Sequence, residues 1–145
     1  MGGDLIGGIV EEIKIRSARR NDSKDIFEWR NDELTRQMAR ASEIIEWANH
    51  SRWYSNSLDS ESRILLICED NRNEKIAIVR FDISGLNAIV SINLNPNKRG
   101  NGLAKFCLIG SIEFFSKEYT GIKNLIAEIK EDNVASQKTF LGIGF

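Results

Sequence analysis

The sequence predicts an α/β (α+β) fold: a mixed, mostly antiparallel sheet with helices on its faces. Two observations carry that prediction. Residues 63–94 hold three apolar, β-branched runs separated by short turns, the pattern of an antiparallel meander. Residues 103–119 then form a long apolar stretch behind a glycine-rich loop, and a further strand-like run follows at 123–129. A meander, a crossover helix and one more strand give a mixed sheet covered on its faces.

The elements follow in order. The first 11 residues or so are rich in glycine and read as a loose extension of a single 1–145 domain. The alternation in EIKIRSA (12–18) predicts a first strand. NDSKDIFEWRND (21–32) opens with turn and cap residues before a helix whose apolar side includes Ile26 and Trp29 and is expected to extend to Leu34 and Met38. Ser42 is placed to cap a second helical region over 42–58, with Ile45, Asn49 and Trp53 on one face at four-residue spacing. RILLICED (63–70), KIAIVRFDI (75–83) and AIVSINL (88–94) are the meander, turning at NRNE and SGLN. NVASQKTFLGIGF (133–145) predicts a short helix ending near Gly142. The predicted order is β, α, α, β, β, β, α, β, α.

Composition narrows the function classes. The formal net charge of −1 provides no global field for nucleic acid or anionic membrane. No apolar run approaches the roughly 20 residues that span a bilayer. The N-terminus has no basic region before its apolar residues, so it is a poor export signal, and a cytoplasmic protein is expected. Cys68 and Cys107 lie in apolar runs and read as buried thiols rather than a disulfide. A single histidine argues against a zinc site of the usual His/Cys kind.

The sharpest motif is NPNKRGNGLAKF, residues 95–106. It leads out of a strand and into a helix, whose first N–H groups have no intrahelical partners and carry partial positive charge. Gly100 and Gly102 remove side chains, so an anion could approach those N–H groups closely. Lys98 and Arg99 add two cationic donors. A pyrophosphate matches this arrangement; a plain turn with solvated basic residues matches the two glycines equally well. The dinucleotide fingerprint fails because residue 105 is Lys, and a P-loop fails because no G-K-[ST] follows.

NKRGNGLA resembles the acyl-CoA signature of the GNAT acetyltransferases, [QR]-x-x-G-x-[GA], with Asn97 at its first position. NVASQKTFLGIGF resembles the second signature of that family through Asn133, Ser136, Gly144 and Phe145. The resemblance implies acetyl-CoA as cofactor and an N-acetyltransferase activity. Backbone groups at Ile92, Asn93 and Leu94 would pair with the pantetheine arm. N–H groups across Arg99, Gly100, Asn101, Gly102, Leu103 and Ala104, beside Lys98, would hold the pyrophosphate. Asn133 would bond the pantetheine or diphosphate region, with Phe140 also at the cofactor. The strands flanking the site would splay to admit the thioester.

The N-terminal half resembles a branch of that family that acetylates nucleotide-linked aminosugars, through Trp29-Arg30-Asn31 followed by His50 and Trp53. That resemblance implies a small-molecule amine acceptor, the 4-amino group of a UDP-linked sugar. It places Trp29, Arg30, Asn31, Thr35, Arg36 and Trp53 near the acceptor. Openings of this kind also occur in acetyltransferases of ribosomal proteins, peptides and antibiotics, and a catalytically weakened acyl-CoA-binding module is a further alternative. The family's usual thiolate acid is a tyrosine where this chain has Phe140. Tyr54 is the substitute expected from the sequence, and His50, whose imidazole titrates near neutrality, is the expected base or sugar-phosphate ligand. Glu69 and Asp70 end a strand and could lean toward the cleft. Family members usually continue past the final Gly-Phe with one or two strands. Stopping at Phe145 would leave a sheet edge to be covered by a second copy in a homodimer, by the N-terminal segment or by unusual packing, unless the chain is truncated.

Overall fold

The computed structural model describes residues 3–6, 9–39 and 41–145. The three predicted meander runs are its centre: β4 (Arg63–Glu69), β5 (Lys75–Ser84) and β6 (Asn87–Leu94). Strand β3 (Lys14–Ser17) pairs antiparallel with β4, and β7 (Asn124–Ile126) pairs parallel with β6. The sheet order is β3-β4-β5-β6-β7. The mixed, mostly antiparallel sheet expected from the sequence is therefore present.

Its two faces bury different residue sets, as the two-residue period of a strand requires. Leu66, Cys68, Val79, Phe81, Ala88 and Val90 face helix α4 (Leu103–Glu118), which contributes Cys107, Leu108 and Phe115. The Phe81 and Phe115 rings stack at 4.1 Å. On the other face Leu65, Ile67 and Ile78 pack with Ile26 and Trp29 of α1 (Ser23–Asn31) and Tyr54 of α3 (Trp47–Leu58). Helix α5 (Val134–Gly142) supplies Phe140 to the α4-side core. Cys68 and Cys107 are free, buried thiols in that core. Among the described residues, no helix is long and apolar enough to cross a membrane.

Four segments differ from the sequence expectation. Gly3–Ile6 (β1) and Ile9–Glu12 (β2) pair as an antiparallel hairpin, although the segment was expected to be loose; residues 1, 2, 7 and 8 lie outside the described set. The predicted 21–32 helix stops at Asn31, because Asp32 caps a separate helix α2 (Glu33–Met38) by accepting the Thr35 N–H at 3.1 Å. Helix α3 begins at Trp47, not behind Ser42. The Asn31 amide holds both the N–H and the C=O of Ile45 at 2.7 Å, so that residue's backbone is committed elsewhere. Strand β7 is three residues long instead of the expected seven, because its pairing with β6 ends at Ile89–Ile126.

One buried carboxylate ties the helices to the sheet. Asp22, 1% exposed, stands at the start of α1. Arg16 of β3 grips both its oxygens, at 2.8 and 2.9 Å. Lys75 of β5 lies 2.8 Å from it and the Arg19 N–H donates to it at 2.8 Å. Burial alone would raise the Asp22 pKa, but the hydrogen bonds from Arg16, Lys75 and the Arg19 backbone outweigh it and hold the carboxyl well below the usual range. Removing the carboxylate leaves Arg16 to Glu69 and Lys75 to Asp25, and strips the Arg19 N–H of its acceptor. Asp22→Ala is therefore expected to lower stability by about 1–3 kcal/mol at neutral pH, read from denaturant midpoints. A carboxyl depressed by folding stabilises fully above its unfolded value of about 3.9 and loses that contribution as pH falls through the folded value. The gap between wild type and variant should accordingly shrink on acidification below about pH 4, and a gap that persists unchanged there would contradict this role.

Candidate active site

The site begins where β6 loses its neighbour. β7 pairs with Asn87, Ala88 and Ile89 and no further, so from Val90 onward the two parallel strands part. Backbone groups of alternate strand residues point to opposite edges. The Leu86 carbonyl accepts from Asn124 on the β7 side at 3.2 Å, and the Asn95 N–H donates to Ile76 on the β5 side at 2.8 Å. By that alternation Ile92 and Leu94 direct their N–H and C=O groups into the cleft, whereas Asn93 directs its own toward β5. Two of the three residues expected to pair with a pantetheine arm thus present an open strand edge.

Asn95 then turns the chain, its side chain accepting the Asn97 N–H at 3.0 Å ahead of a 3₁₀ turn over Pro96–Lys98. Gly100 and Gly102 both adopt left-handed backbone, φ 78° and 68°, and Gly102 is the N-cap of the 16-residue α4. A Cβ built at either glycine would meet nothing within 4 Å, so the space over the loop is open. The open strand edge and the helix N-terminus are consecutive in the chain and so adjacent in space. An extended amide-bearing arm ending in a pyrophosphate fits both features, and the N–H groups leading into Leu103 and Ala104 are those an anion would meet.

The two cations of the loop are already engaged. Lys98 pairs with Glu74 at 2.5 Å and lies 3.6 Å from Asp70. Arg99 bonds the Asp32 carboxylate and donates to Thr35 Oγ1 at 2.7 Å. The Arg99 bond holds Asp32 below the usual carboxylate range, and the Glu74 bond raises Lys98. The sequence did not show these partners, which are 24 and 67 residues away. Asn101 is exposed, with its amide 3.5 Å from the Lys98 carbonyl. Asn133 caps α5 by accepting the Ser136 N–H at 3.2 Å, a bond that uses only the oxygen of its amide. Phe140 is 4% exposed and meets Phe145 edge-on at 5.0 Å.

His50 and Tyr54, the residues expected to do proton chemistry, are inside the protein. His50 has no exposed surface. Its Nδ1 lies 3.0 Å from Arg30 Nη1, which can only donate, so Nδ1 accepts; Nε2 therefore carries the hydrogen and donates to the Ser23 carbonyl at 3.0 Å. Burial first, and the Arg30 charge in addition, lower the His50 pKa and keep the ring neutral. The Tyr54 hydroxyl donates to the Arg19 carbonyl at 2.5 Å, and burial pushes its pKa up. In this arrangement His50 orients Arg30 and Tyr54 secures the turn into α1. Glu69 and Asp70 are also occupied: Glu69 lies 3.2 Å from Arg16, and Asp70 accepts the N–H groups of Arg72 and Glu74.

The residues expected at the acceptor divide by helix geometry. Trp29 points into the core, 5% exposed. Asn31 holds Ile45, and Arg36 donates to the Asn31 and Ser42 carbonyls, so both shape the segment between α2 and α3. Thr35 receives Arg99. Arg30 lies over the Trp53 ring with its guanidinium carbon 4.2 Å from the centroid, and both side chains remain partly exposed. A cavity of about 380 Å³ opens between α1 and the 95–97 turn, lined by Phe27, Trp29, Asn31, Asp32, Asn95 and Pro96 among others.

Solved structures share this architecture. A protein assigned as a phosphinothricin N-acetyltransferase aligns with a TM-score of 0.76 at 25% identity, over 92% of this chain and 82% of its own. Spermidine N-acetyltransferase from Vibrio cholerae, in complex with CoA and spermine, aligns with a TM-score of 0.79 at 16% identity, over 91% and 79%. AAC(6')-Ib in complex with ribostamycin and coenzyme A does so with 0.79 at 16%, over 92% and 82%. No curated protein sequence matches the chain.

A substitution at Gly102 tests the loop directly. Gly102→Val forces a β-branched residue into left-handed backbone at a cost of about 1–2 kcal/mol and puts its side chain where the pyrophosphate would approach. CoA binding by calorimetry is expected to weaken at least about tenfold, with the thermal midpoint lowered by only several degrees, so that the protein is still folded at about 25 °C; unchanged affinity would remove the loop from the donor site. The profile of the Acetyltransferase (GNAT) domain family matches residues 12–145, and with the cleft and glycine loop in place the chain belongs to that family and is an acetyl-CoA-dependent N-acetyltransferase.

Proposed function

We propose that this enzyme acetylates a primary amine on a nucleotide-linked aminosugar, the 4-amino group of a UDP-linked sugar. The observation that carries the transfer reaction is the open β6 edge running directly into the left-handed glycine pair at the start of α4. The sugar reading rests on the Trp29-Arg30-Asn31 stretch with His50 and Trp53. Of these, Arg30 and Trp53 build a partly exposed indole face with a guanidinium above it, a surface suited to a sugar ring and its phosphates, and His50 orients the guanidinium. Spermine and ribostamycin, the amines held by the two complexes above, support a small amine as the acceptor class.

Acetyl-CoA supplies the acetyl group as an activated thioester. The protein's part is positioning and charge stabilisation. The Ile92 and Leu94 backbone groups fix the donor's arm along β6, and the Ile92 N–H is the candidate donor to the oxygen that gains charge. The acceptor amine must arrive neutral to attack. With Phe140 lacking a proton and Tyr54 and His50 enclosed, water in the cleft accepts the proton that the nitrogen loses as the C–N bond forms, and supplies one to the thiolate as the C–S bond breaks. Burial of His50 and Tyr54 supports this assignment over a side-chain acid from α3.

Incubation with acetyl-CoA and a UDP-linked 2-acetamido-4-amino sugar should release free thiol at an enzyme-like rate, followed with a thiol reagent. Release on a peptide amine or an aminoglycoside with none on the nucleotide sugar would move the acceptor to another class. CoA binding without thiol release on any amine would leave a binding module.

A further inference from the structure

Three guanidiniums converge on one indole. The carbons at the centres of Arg30, Arg63 and Arg80 lie 4.2, 5.6 and 5.8 Å from the Trp53 ring centroid. Two of them share one carboxylate: Asp82 lies 2.7 Å from Arg63 Nε and 3.0 Å from Arg80 Nε. The second contact is close enough for an ion pair but misaligned for a hydrogen bond, and Arg80 Nε is buried without one. Arg30 is bonded to the neutral ring of His50. Burial, then the charges of Arg80 and Arg63, pull the Arg30 pKa down to about 10, so the cluster is electrostatically unfavourable as it stands. An oxyanion among the three would relieve that repulsion. The heads are within reach of solvent, the Arg63 and Arg80 side chains being 34% and 36% exposed.

The cluster also lies in the right place. Arg80 sits opposite Ser91 of β6. Ser91 is the second residue beyond the last β6–β7 pair, at the apex of the cleft, and one strand spacing of about 5 Å separates it from Arg80. Arg80 and Ser91 share the face of Ile78 and Leu65, the face opposite α4, from which an acceptor would reach the cleft.

We propose that Arg63 and Arg80, held with Arg30 against Trp53, form a subsite for a phosphate or carboxylate of the acceptor, so that the enzyme selects anionic amines and rejects polycations. This deepens the transferase reading and rests on it for the word acceptor; the anion site itself does not. A diphosphate and an amino-acid carboxylate offer the same oxygen chemistry to a guanidinium fork.

The test keeps the two apart. Wild-type protein is saturated with CoA, which fills the pyrophosphate loop, and titrated in a calorimeter with UDP, inorganic pyrophosphate and L-glutamate. Saturable binding of at least one oxyanion is expected, weakened about tenfold or more in Arg63→Gln and in Arg80→Gln, each of which keeps its CoA affinity. Binding of UDP and pyrophosphate assigns the site to a diphosphate, and binding of glutamate alone assigns it to a carboxylate; both support it. No binding of any of the three, or equal affinity in wild type and both variants, overturns it. A measurement on wild type alone guards against variants that fail to fold. The kcat/KM for an anionic amine should exceed that for spermidine at least about tenfold, and equal or better use of spermidine overturns the subsite while leaving the transferase intact. Oxyanion binding with no transfer to any amine would instead leave the subsite standing and remove the transferase.

Discussion

The architecture of the site depends on one missing interaction, the pairing of β6 with β7 beyond Ile89. A backbone edge that stops pairing inside a sheet carries donors and acceptors that need other partners. Here the orphaned groups belong to Ile92 and Leu94, and the chain that supplies them continues within a few residues to the N-terminus of α4. Two sets of unsatisfied N–H groups, one from a strand and one from a helix, thus line a single groove. Helix α4 can hold its place beside the opening because Cys107, Leu108 and Phe115 anchor it across the continuous part of the sheet. The core on that face preserves the gap.

Charge is distributed unequally across the sheet. In the loop, Lys98 and Arg99 each have a carboxylate, so attraction for a pyrophosphate falls chiefly to backbone N–H groups and the helix dipole unless those pairs exchange. Arg99 also joins the loop to Asp32, the residue that ends α1 and caps α2, and so couples the loop mechanically to those two helices. Around Trp53 the balance is reversed: the Asp82 carboxylate serves both Arg63 and Arg80, and Arg30 has a neutral histidine. A protein with a net charge of −1 can therefore still present a local cationic surface, because the excess is set by pairing and not by composition.

The meander, the crossover helix and the glycine loop were legible because each is written in contiguous residues. Strand runs of β-branched side chains, a Gly-x-Gly turn and an apolar 16-residue helix all declare themselves locally. The N-terminal hairpin is also written locally, in the short apolar runs LI and IV that the pairing of Gly3–Ile6 with Ile9–Glu12 brings together. What could not be read was long-range pairing. Nothing local to Ile45 says that Asn31 will take both its backbone groups. Nothing near Lys98 names Glu74. The arginine cluster assembles from α1, β4 and β5 around an indole of α3, so its members are scattered over 51 residues of sequence and unite only through the register that sets Arg63 opposite Asp82.

The Trp29-Arg30-Asn31 stretch shows what its residue types do. Successive residues on a helix point about 100° apart, so three in a row cannot share a task. Trp29 goes inward to the core under β4 and β5, Asn31 goes sideways to hold the segment before α3, and Arg30 is left facing Trp53. His50 then earns its place as an acceptor rather than a base. An arginine fork aimed at a substrate needs a partner that fixes its orientation without neutralising it, and a buried imidazole, kept uncharged by that same burial, meets both conditions. A carboxylate at that position would orient Arg30 equally well but neutralise its charge. A lysine or a protonated histidine would repel it. The chain's one histidine thus orients Arg30 while leaving its charge in place.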